Sequence, residues 1–444
     1  MSDLRQYRMN ASSAAELVAG IEAAVASGEL EPGQPLPSVR RLAVEVGLSP
    51  VTVAAGLAEL RRRGVVVTEQ RRGTRIGLGP PIGSSRVPLP VPAGARDLSD
   101  GNPDAALLPD LQRALARAGL PVRLYGEPSM VPELMAFARE QLQADGVPGD
   151  ALCVVSGALD GIERVLDVHV RAGDAVAVEN PGYAALFYLL RARGLALQPV
   201  EVDERGMIPD GLERALARGA RAVLITPRGQ NPTGAALDAG RADELRAVLA
   251  GHPRTLVVED DHLGVLAGGT PLHSTVGGLE RWAATRSVAK ALGPDLRLAV
   301  LAGDARTIAL VQGRQQCGPG WVSHILQRLV LGMWTDPQVR AQVARASATY
   351  TQRRELLLEC LHRRGVRAHG ASGLNVWVPV EEETAVVGAL IQRGWVVAPG
   401  APYRLAGSSP AIRVTSATLV EPEAQRFAAD LADVLAARAS SRSG

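Results

Sequence analysis

The sequence predicts a multidomain chain: a winged helix-turn-helix, then an α/β unit with a mainly parallel sheet, then a smaller α+β part at the C-terminus. Three observations carry that reading. Residues 1–78 hold three helix-period stretches followed by a short basic hairpin pattern. Residues 77–97, "GLGPPIGSSRVPLPVPAGARD", are rich in Pro, Gly and Ser and lack helical periodicity, as a linker does. Beyond them, short apolar runs alternate with amphipathic stretches, the pattern of parallel strands covered by helices. A length of 444 residues allows two or three domains and a large core.

The first helix is expected over residues 14–26, with Leu17, Val18, Ile21 and Val25 on one face. "LPSVRRLAVEVG" then gives Ser38 as N-cap, Leu42 and Val46 inside, and Gly47 as terminator. In "LSPVTVAAGLAELRRRG" Ser49 caps a third helix and Pro50 takes its first position, where a missing N–H costs nothing. Val53, Leu57 and Leu60 form its buried stripe and Gly64 ends it. "VVVTEQRRGTRI" reads as a two-stranded wing tipped by Arg71, Arg72 and Gly73. The other reading of three such helices is a protein-interaction domain, and the basic tip argues against it.

Charge supports a polyanionic partner. The net charge is only +2, but residues 40–75 hold arginines 40, 41, 61, 62, 63, 71, 72 and 75 against glutamates 45, 59 and 69. This segment resembles the GntR family of regulators through Leu-Pro-Ser-x-Arg-x-Leu-Ala at 36–43, Ser-x-x-Thr-Val at 49–53 and Gly-Thr at 73–74. The resemblance implies double-stranded operator DNA as partner, touched by Arg40, Ser49, Thr52, Arg71 and Arg72. Where the family often has arginine or asparagine, this chain has Pro50 and Ala54. The exposed face of the recognition helix, with Val51 and Ala55, is nearly apolar. It can meet thymine methyls, so arginine–phosphate contacts are expected to carry most of the affinity.

Past the linker, "DAVAVEN", "RAVLITP", "TLVVEDD" and "RLAVLAG" are expected strands, and "DGLERALARG" and "GRADELRAVLAG" expected helices. "VVSGALDG" sets Ser156, Gly157 and Ala158 between a strand and a helix, where backbone N–H groups can hold a phosphate. Helix–strand units return from about residue 340, and the acidic run Glu381–Glu383 reads as a solvated loop. Three cysteines, 153, 317 and 360, have no paired spacing, which argues against a disulfide scaffold or a zinc site, and no metal is expected. The start "MSDLRQYRMN" has no apolar core of a signal peptide and no apolar run reaches membrane length. A soluble cytoplasmic protein is the expectation.

Of 48 basic side chains, Lys290 is the one lysine. A surface charge or salt bridge can be served by arginine, whereas only a lysine amine can lose its proton and attack a carbonyl carbon. Around it stand Asp260 in "VVEDD", Asn231 in "RGQNPTG", Tyr183 in "GYAALFY", and Ser287 and Arg297 on either side. Singly, each reads equally as a turn, a cap or a surface residue. In order and spacing they resemble the fold-type I aminotransferases that use pyridoxal 5′-phosphate, over roughly residues 98–435.

The resemblance implies that Lys290 carries the cofactor as an internal aldimine and that Asp260 pairs with the pyridinium nitrogen. It further implies Asn231 on the ring hydroxyl and Tyr183 stacked on the ring. The phosphate would lie among Gly157, Ala158, Ser287 and Arg297, joined by Tyr125 from the partner of a homodimer. Arg413 would clamp an effector carboxylate. Departures from the family pattern are His262, where a tyrosine is usual, Ala289 before the lysine, and Met135 in "PELM". Asn180–Pro181 and Asn231–Pro232 are expected cis bonds.

The whole layout resembles the MocR-type regulators, and "LSDGNPD", "LYGEP", "SGALDGIERVL" and "RSVAKALGPDLRLA" look closest to the PtsJ-type members, linked to vitamin B6 salvage. The division expected is 1–78 for the DNA-binding domain, 79–97 for the linker and 98–444 for the aminotransferase-like domain. Within the last, the large subdomain runs about 110–315 and the small one about 316–444. The function implied is a transcriptional regulator whose DNA affinity changes on binding the cofactor or an amino-acid-like effector. The rival is an active aminotransferase with an accessory winged helix, and a third reading is a scaffold without cofactor.

Overall fold

The computed structural model describes residues 13–27, 29–31, 33–62, 65–69, 73–77, 91–267, 269–405 and 407–440. It divides into two compact units, one built on the N-terminal helices and wing, the other holding most of the large sheet.

The N-terminal unit begins with α1 (Ala14–Ala26), whose start is capped by Ser13 Oγ accepting from Glu16 N at 3.2 Å. In α2 (Val39–Val46), Ser38 caps the start and Gly47, at φ +73°, ends the helix in the left-handed conformation that glycine adopts without strain. Pro50 opens α3 (Pro50–Arg62), and Ser49 Oγ accepts from Thr52 N at 3.1 Å. Leu17, Ile21, Leu42, Val53, Leu57 and Leu60 fill one core. Val25 and Val46 lie at its half-buried rim. Strands β1 (Val66–Glu69) and β2 (Gly73–Ile76) pair antiparallel, Val66 opposite Ile76, as the wing requires. Gly64 and the wing-tip residues Arg71 and Arg72 lie outside the described residues.

Beyond the wing the chain forms β3 (Arg96–Leu98), α4 (Leu111–Arg117) and α5 (Pro132–Ala144). There follow β4 (Ala151–Val155), α6 (Ala158–His169), β5 (Ala175–Asn180), α7 (Ala184–Ala192), β6 (Ala196–Asp203) and β7 (Gly206–Met207). Next come α8 (Pro209–Ala217), β8 (Ala222–Ile225), α9 (Ala239–Ala250), β9 (Leu256–Asp261) and β10 (Trp282–Ser287). The chain then forms α10 (Ala289–Leu292), β11 (Ala299–Gly303), α11 (Ala305–Gln316), α12 (His324–Thr335) and α13 (Pro337–His362). It closes with β12 (Asn375–Pro379), α14 (Glu383–Gln392), β13 (Trp395–Pro399), β14 (Ala411–Thr415) and α15 (Glu421–Ser440).

Eight strands form a sheet in the order β4-β11-β10-β9-β8-β5-β6-β7. β9 runs parallel to β8 and β10, while β11 is antiparallel to both β10 and β4. The central strands are buried on both faces, which explains their unbroken apolar runs. Since β4, β8, β9 and β10 point the same way, their carboxyl ends bring loops 156–158, 226–231, 260–262 and 287–290 to one rim. That rim is where open parallel sheets bind ligands. Asn180–Pro181 and Asn231–Pro232 are both cis.

The second sheet has the order β12-β14-β13-β3, with Leu98, Trp395, Val397, Val414 and Phe427 in its core. Two expectations need correcting here. Arg96 and Asp97, assigned to the linker, belong to β3, which pairs parallel with Trp395–Val397 of β13. Arg96 is tied down further, donating to Thr418 O at 2.7 Å and to Glu423 at 3.1 Å. Nor is Glu383 part of a solvated loop. It opens α14 and accepts from Ala401 N at 2.8 Å and Arg404 Nη2 at 2.7 Å. An acidic residue suits a helix N-terminus, and here it also pins a neighbouring loop.

Candidate functional site

Lys290 sits on the one-turn helix α10, directly after β10, and its Nζ donates to Gly101 O at 2.5 Å. Ser287 closes β10 and turns its hydroxyl to accept from Ala289 N at 3.2 Å. On the adjacent strand, Asp260 faces Thr285, whose Oγ1 donates to Asp260 Oδ1 at 3.0 Å. Burial pushes the Asp260 carboxyl above the usual range, against the pull of His262 and the Thr285 hydroxyl. His262 is pushed down by burial, with the Lys290 ammonium adding to that effect and Asp260 opposing it.

The other two carboxylates of "EDD" point to the opposite side of the strand and are fully engaged there. Glu259 accepts from Ser274 Oγ and from Thr275. Asp261 accepts from Arg228 Nε and Nη2, both at 2.9 Å, and from Arg286 Nε at 3.0 Å. Burial alone would raise Asp261, but the two guanidiniums outweigh it and hold the carboxyl below its ordinary value. Of the run, Asp261 is the member paired with guanidiniums, while Asp260 accepts from the Thr285 hydroxyl.

A glycine and an arginine come together at the β4–α6 corner. Gly157 has φ +100°, and a Cβ placed on it would lie 2.9 Å from Arg297 Nη2. Arg297 itself takes a left-handed φ of +42°, rare for a residue with a side chain. The positive φ favours glycine at 157 and leaves the Arg297 guanidinium close beside the backbone. Ser156 N is spent on Asp160 Oδ2 at 2.8 Å. Gly157 and Ala158 stand at the start of α6, where helical geometry leaves N–H groups pointing outward toward an anion.

Arg413, on β14, is 3% exposed. Its Nη1 donates to Asn231 Oδ1 at 3.0 Å and its Nη2 to Ser99 O at 2.5 Å, and its Cζ lies 4.8 Å from the centre of the Tyr403 ring. Gly101, whose carbonyl holds Lys290, also packs against the Arg413 guanidinium. Lys290, Arg413 and Asn231 thus share one neighbourhood, and Gly157 and Arg297 share another. Beneath the rim, Glu179 accepts from Thr226 N and Oγ1 and from Gln230 Nε2, and burial pushes it up to about 7.

Tyr183 is half-buried just before α7, following the cis Pro181. Tyr125 is 93% exposed, its ring edge-on to Trp321 at 5.8 Å, so within one chain it is not packed against the β4–α6 corner. Met135 lies in the main core on α5. In the N-terminal unit Arg40 is exposed on α2, and the Ser49 and Thr52 hydroxyls lie 2.8 Å apart at the start of α3. Val51 is 79% exposed, as the apolar reading of that face expects. Sequence reasoning missed Gly101, Ser99 and Tyr403. Ser99 and Gly101 lie within "LSDGNPD", which was the available signal, whereas Tyr403 carries no motif.

Comparison with known proteins agrees with this layout. The profile of the aminotransferase class I and II family matches residues 96–431, and that of the gntR family of bacterial regulatory proteins matches residues 13–76. The vitamin B6 salvage pathway transcriptional repressor PtsJ of Salmonella typhimurium is 38% identical over 434 residues, 96% of this chain and 99% of that one. The pyridoxine biosynthesis transcriptional regulator PdxR of Corynebacterium glutamicum is 32% identical over 263 residues, 55% of each. Among solved structures, the alpha-aminoadipate aminotransferase LysN of Thermus thermophilus, complexed with N-(5′-phosphopyridoxyl)-L-leucine, matches with a TM-score of 0.68. It is 23% identical and covers 78% of this chain and 94% of its own, a likeness of fold.

Proposed function

The chain belongs to the MocR-type regulators of the GntR family, and from that membership we propose a transcription factor whose DNA affinity answers to pyridoxal 5′-phosphate and to an amino-compound effector. Residues 1–78 bind operator DNA, 79–95 connect, and 96–444 bind the cofactor. The names of PtsJ and PdxR support vitamin B6 metabolism as the pathway controlled. The protein acts as a cytoplasmic homodimer. Exposed Leu115, Val122, Leu124 and Tyr125 supply an apolar surface for the second copy, which delivers its Tyr125 to the phosphate.

One observation carries the cofactor reading. The chain's one lysine, a buried carboxyl without a guanidinium partner, and the Gly157–Arg297 cradle all stand at the carboxyl rim of the sheet. These residues fit the cofactor. When bound, it supplies an aldehyde carbon that an amine can take up. Lys290 Nζ holds it covalently, and Asp260 offers a negative charge to a cationic ring nitrogen, which offsets the cost of burying both. Asn231 meets the ring hydroxyl and Tyr183 covers the ring. Gly157, Ala158, Ser287 and Arg297 hold the phosphate. Arg413 presents a planar cation to a carboxylate.

Regulation requires that cofactor or effector bind two states of the protein with unequal affinity. The buried, oriented Arg413 also favours a second reading, retained aminotransferase activity. The test is Lys290→Arg, which keeps the charge and leaves no lysine. The wild type with cofactor is expected to show a visible absorption band and to be fixed at residue 290 by borohydride. The variant is expected to lose band and fixation, and to bind DNA without responding to the effector. A wild type lacking the band, or a variant retaining it, contradicts the reading.

A further inference from the structure

The loop between β13 and β14 holds a side chain that no motif marks. Tyr403 places its ring over the Arg413 guanidinium, 4.8 Å from centroid to Cζ, and that ring packs near-perpendicular to Trp377, with centroids 6.3 Å apart at 85°. In its own plane Arg413 is fixed by Asn231 Oδ1 and Ser99 O. Two in-plane bonds and one aromatic face together set the orientation of the guanidinium. A carboxylate is bound best by two parallel N–H groups lying in that plane. A guanidinium already held in it loses less freedom on binding.

The placement of Tyr403 does not depend on its ring. Gly182 N donates to Tyr403 O at 2.8 Å, and Leu405 N donates to Asn180 Oδ1 at 2.8 Å. Glu383 holds Ala401 N and Arg404 from the other side. The loop is therefore anchored to the residues flanking Tyr183 and to α14 by groups that a change at the Tyr403 side chain leaves intact.

We propose that Tyr403 is the positioning residue that makes this site selective for amino compounds bearing a carboxylate over the corresponding plain amines. It acts by pinning the Arg413 guanidinium under its ring. The effector class is thus an amino acid rather than a simple amine or a polyamine. The inference rests on the cofactor reading above, because the effector's amine is taken up at Lys290.

The experiment titrates full-length, cofactor-loaded protein with L-alanine and with ethylamine, which differ by the carboxylate alone. The cofactor absorption band is followed, and the quantity read is the ratio of the two dissociation constants. In Tyr403→Ala, L-alanine is expected to weaken by about five- to thirty-fold, the range of a desolvated cation–π contact, and ethylamine by less than about two-fold. Tyr403→Phe keeps the ring and is expected to keep the wild-type ratio. A Tyr403→Ala ratio equal to wild type overturns the inference while the cofactor reading stands. A Tyr403→Phe ratio as poor as that of the alanine variant overturns it too, because the hydroxyl would then be acting. Absence of any band in the wild type overturns the cofactor reading, and this one with it.

Discussion

Asp260 and Asp261 are chain neighbours on one strand, and replacing each by asparagine is expected to do opposite things. Asp261 receives three charge-assisted bonds from Arg228 and Arg286, whose residues are 6% and 7% exposed. Asp261→Asn leaves two buried guanidiniums. Breaking a buried pair costs about 3–5 kcal/mol. Asp145 lies 2.7 Å from Arg286 Nη2 and 3.7 Å from Arg228 Nη2, and sharing its charge places the cost near the lower end, about 3 kcal/mol. For a body of this size the melting temperature is expected to drop by about 4 °C. Asp260 is raised by burial, so a neutral asparagine relieves a penalty, and the melting temperature is expected to hold or rise.

The pH dependence separates the two further. A depressed carboxyl contributes stability above its unfolded value of about 3.9 and loses it only in acid, so the Asp261→Asn deficit is flat from pH 5.5 to 8.5. A raised carboxyl loses stability as pH climbs through its folded value, so Asp260→Asn gains on the wild type with rising pH. Cofactor affinity reverses the order, with Asp260→Asn weakening it by about ten- to a hundred-fold as a charged hydrogen bond is lost. Thermal melts of cofactor-free protein across that pH range, with absorbance titrations of pyridoxal 5′-phosphate, measure all of this. Equal melting of Asp261→Asn and wild type, or unchanged cofactor affinity in Asp260→Asn, refutes the assignment.

Two further outcomes are expected. Gly157→Ala forces a side chain into φ +100° and against Arg297, at about 1–2 kcal/mol of backbone strain. Loss of pyridoxal phosphate affinity without equal loss of pyridoxal affinity is the sign that the cradle holds the phosphate. Arg40→Ala removes an exposed arginine of α2. It is expected to weaken binding to all DNA sequences alike and to flatten the salt slope by about one unit. A changed sequence preference with an unchanged slope would place Arg40 on a base.

What the sequence made legible was local or periodic. Ser38, Gly47 and Ser49 announce helix ends because caps and left-handed turns are satisfied within a few residues. Alternation along β9 puts Asp260 on one side and Glu259 with Asp261 on the other, and the motif spacing singled out Asp260. "RLAVLAG" was readable as a strand, but not its antiparallel direction, which depends on the neighbours it meets. Glu383 looked solvated because its partners, Ala401 and Arg404, lie about twenty residues on. Tyr403 and Ser99 reach Arg413 from separate segments, a convergence that only tertiary packing creates. Tyr125 and the wing tip are legible as motifs, and the roles proposed for them involve a second copy and DNA.

The seam formed by β3 bears on how the molecule can be dissected. Removing residues up to Leu98 would strip a partner strand from Trp395–Val397 and bare an apolar edge, an invitation to strand-to-strand aggregation. It would also withdraw the guanidinium of Arg96 from Thr418 and Glu423. The segment that touches Arg413 and Lys290, at Ser99 and Gly101, would then begin from a loose end. A fragment meant to preserve the ligand pocket must therefore start upstream of Arg96, inside what composition alone marks as tether. The tether's last residues are already architecture, and the two modules cannot be cleanly separated at the point where the Pro- and Gly-rich stretch ends.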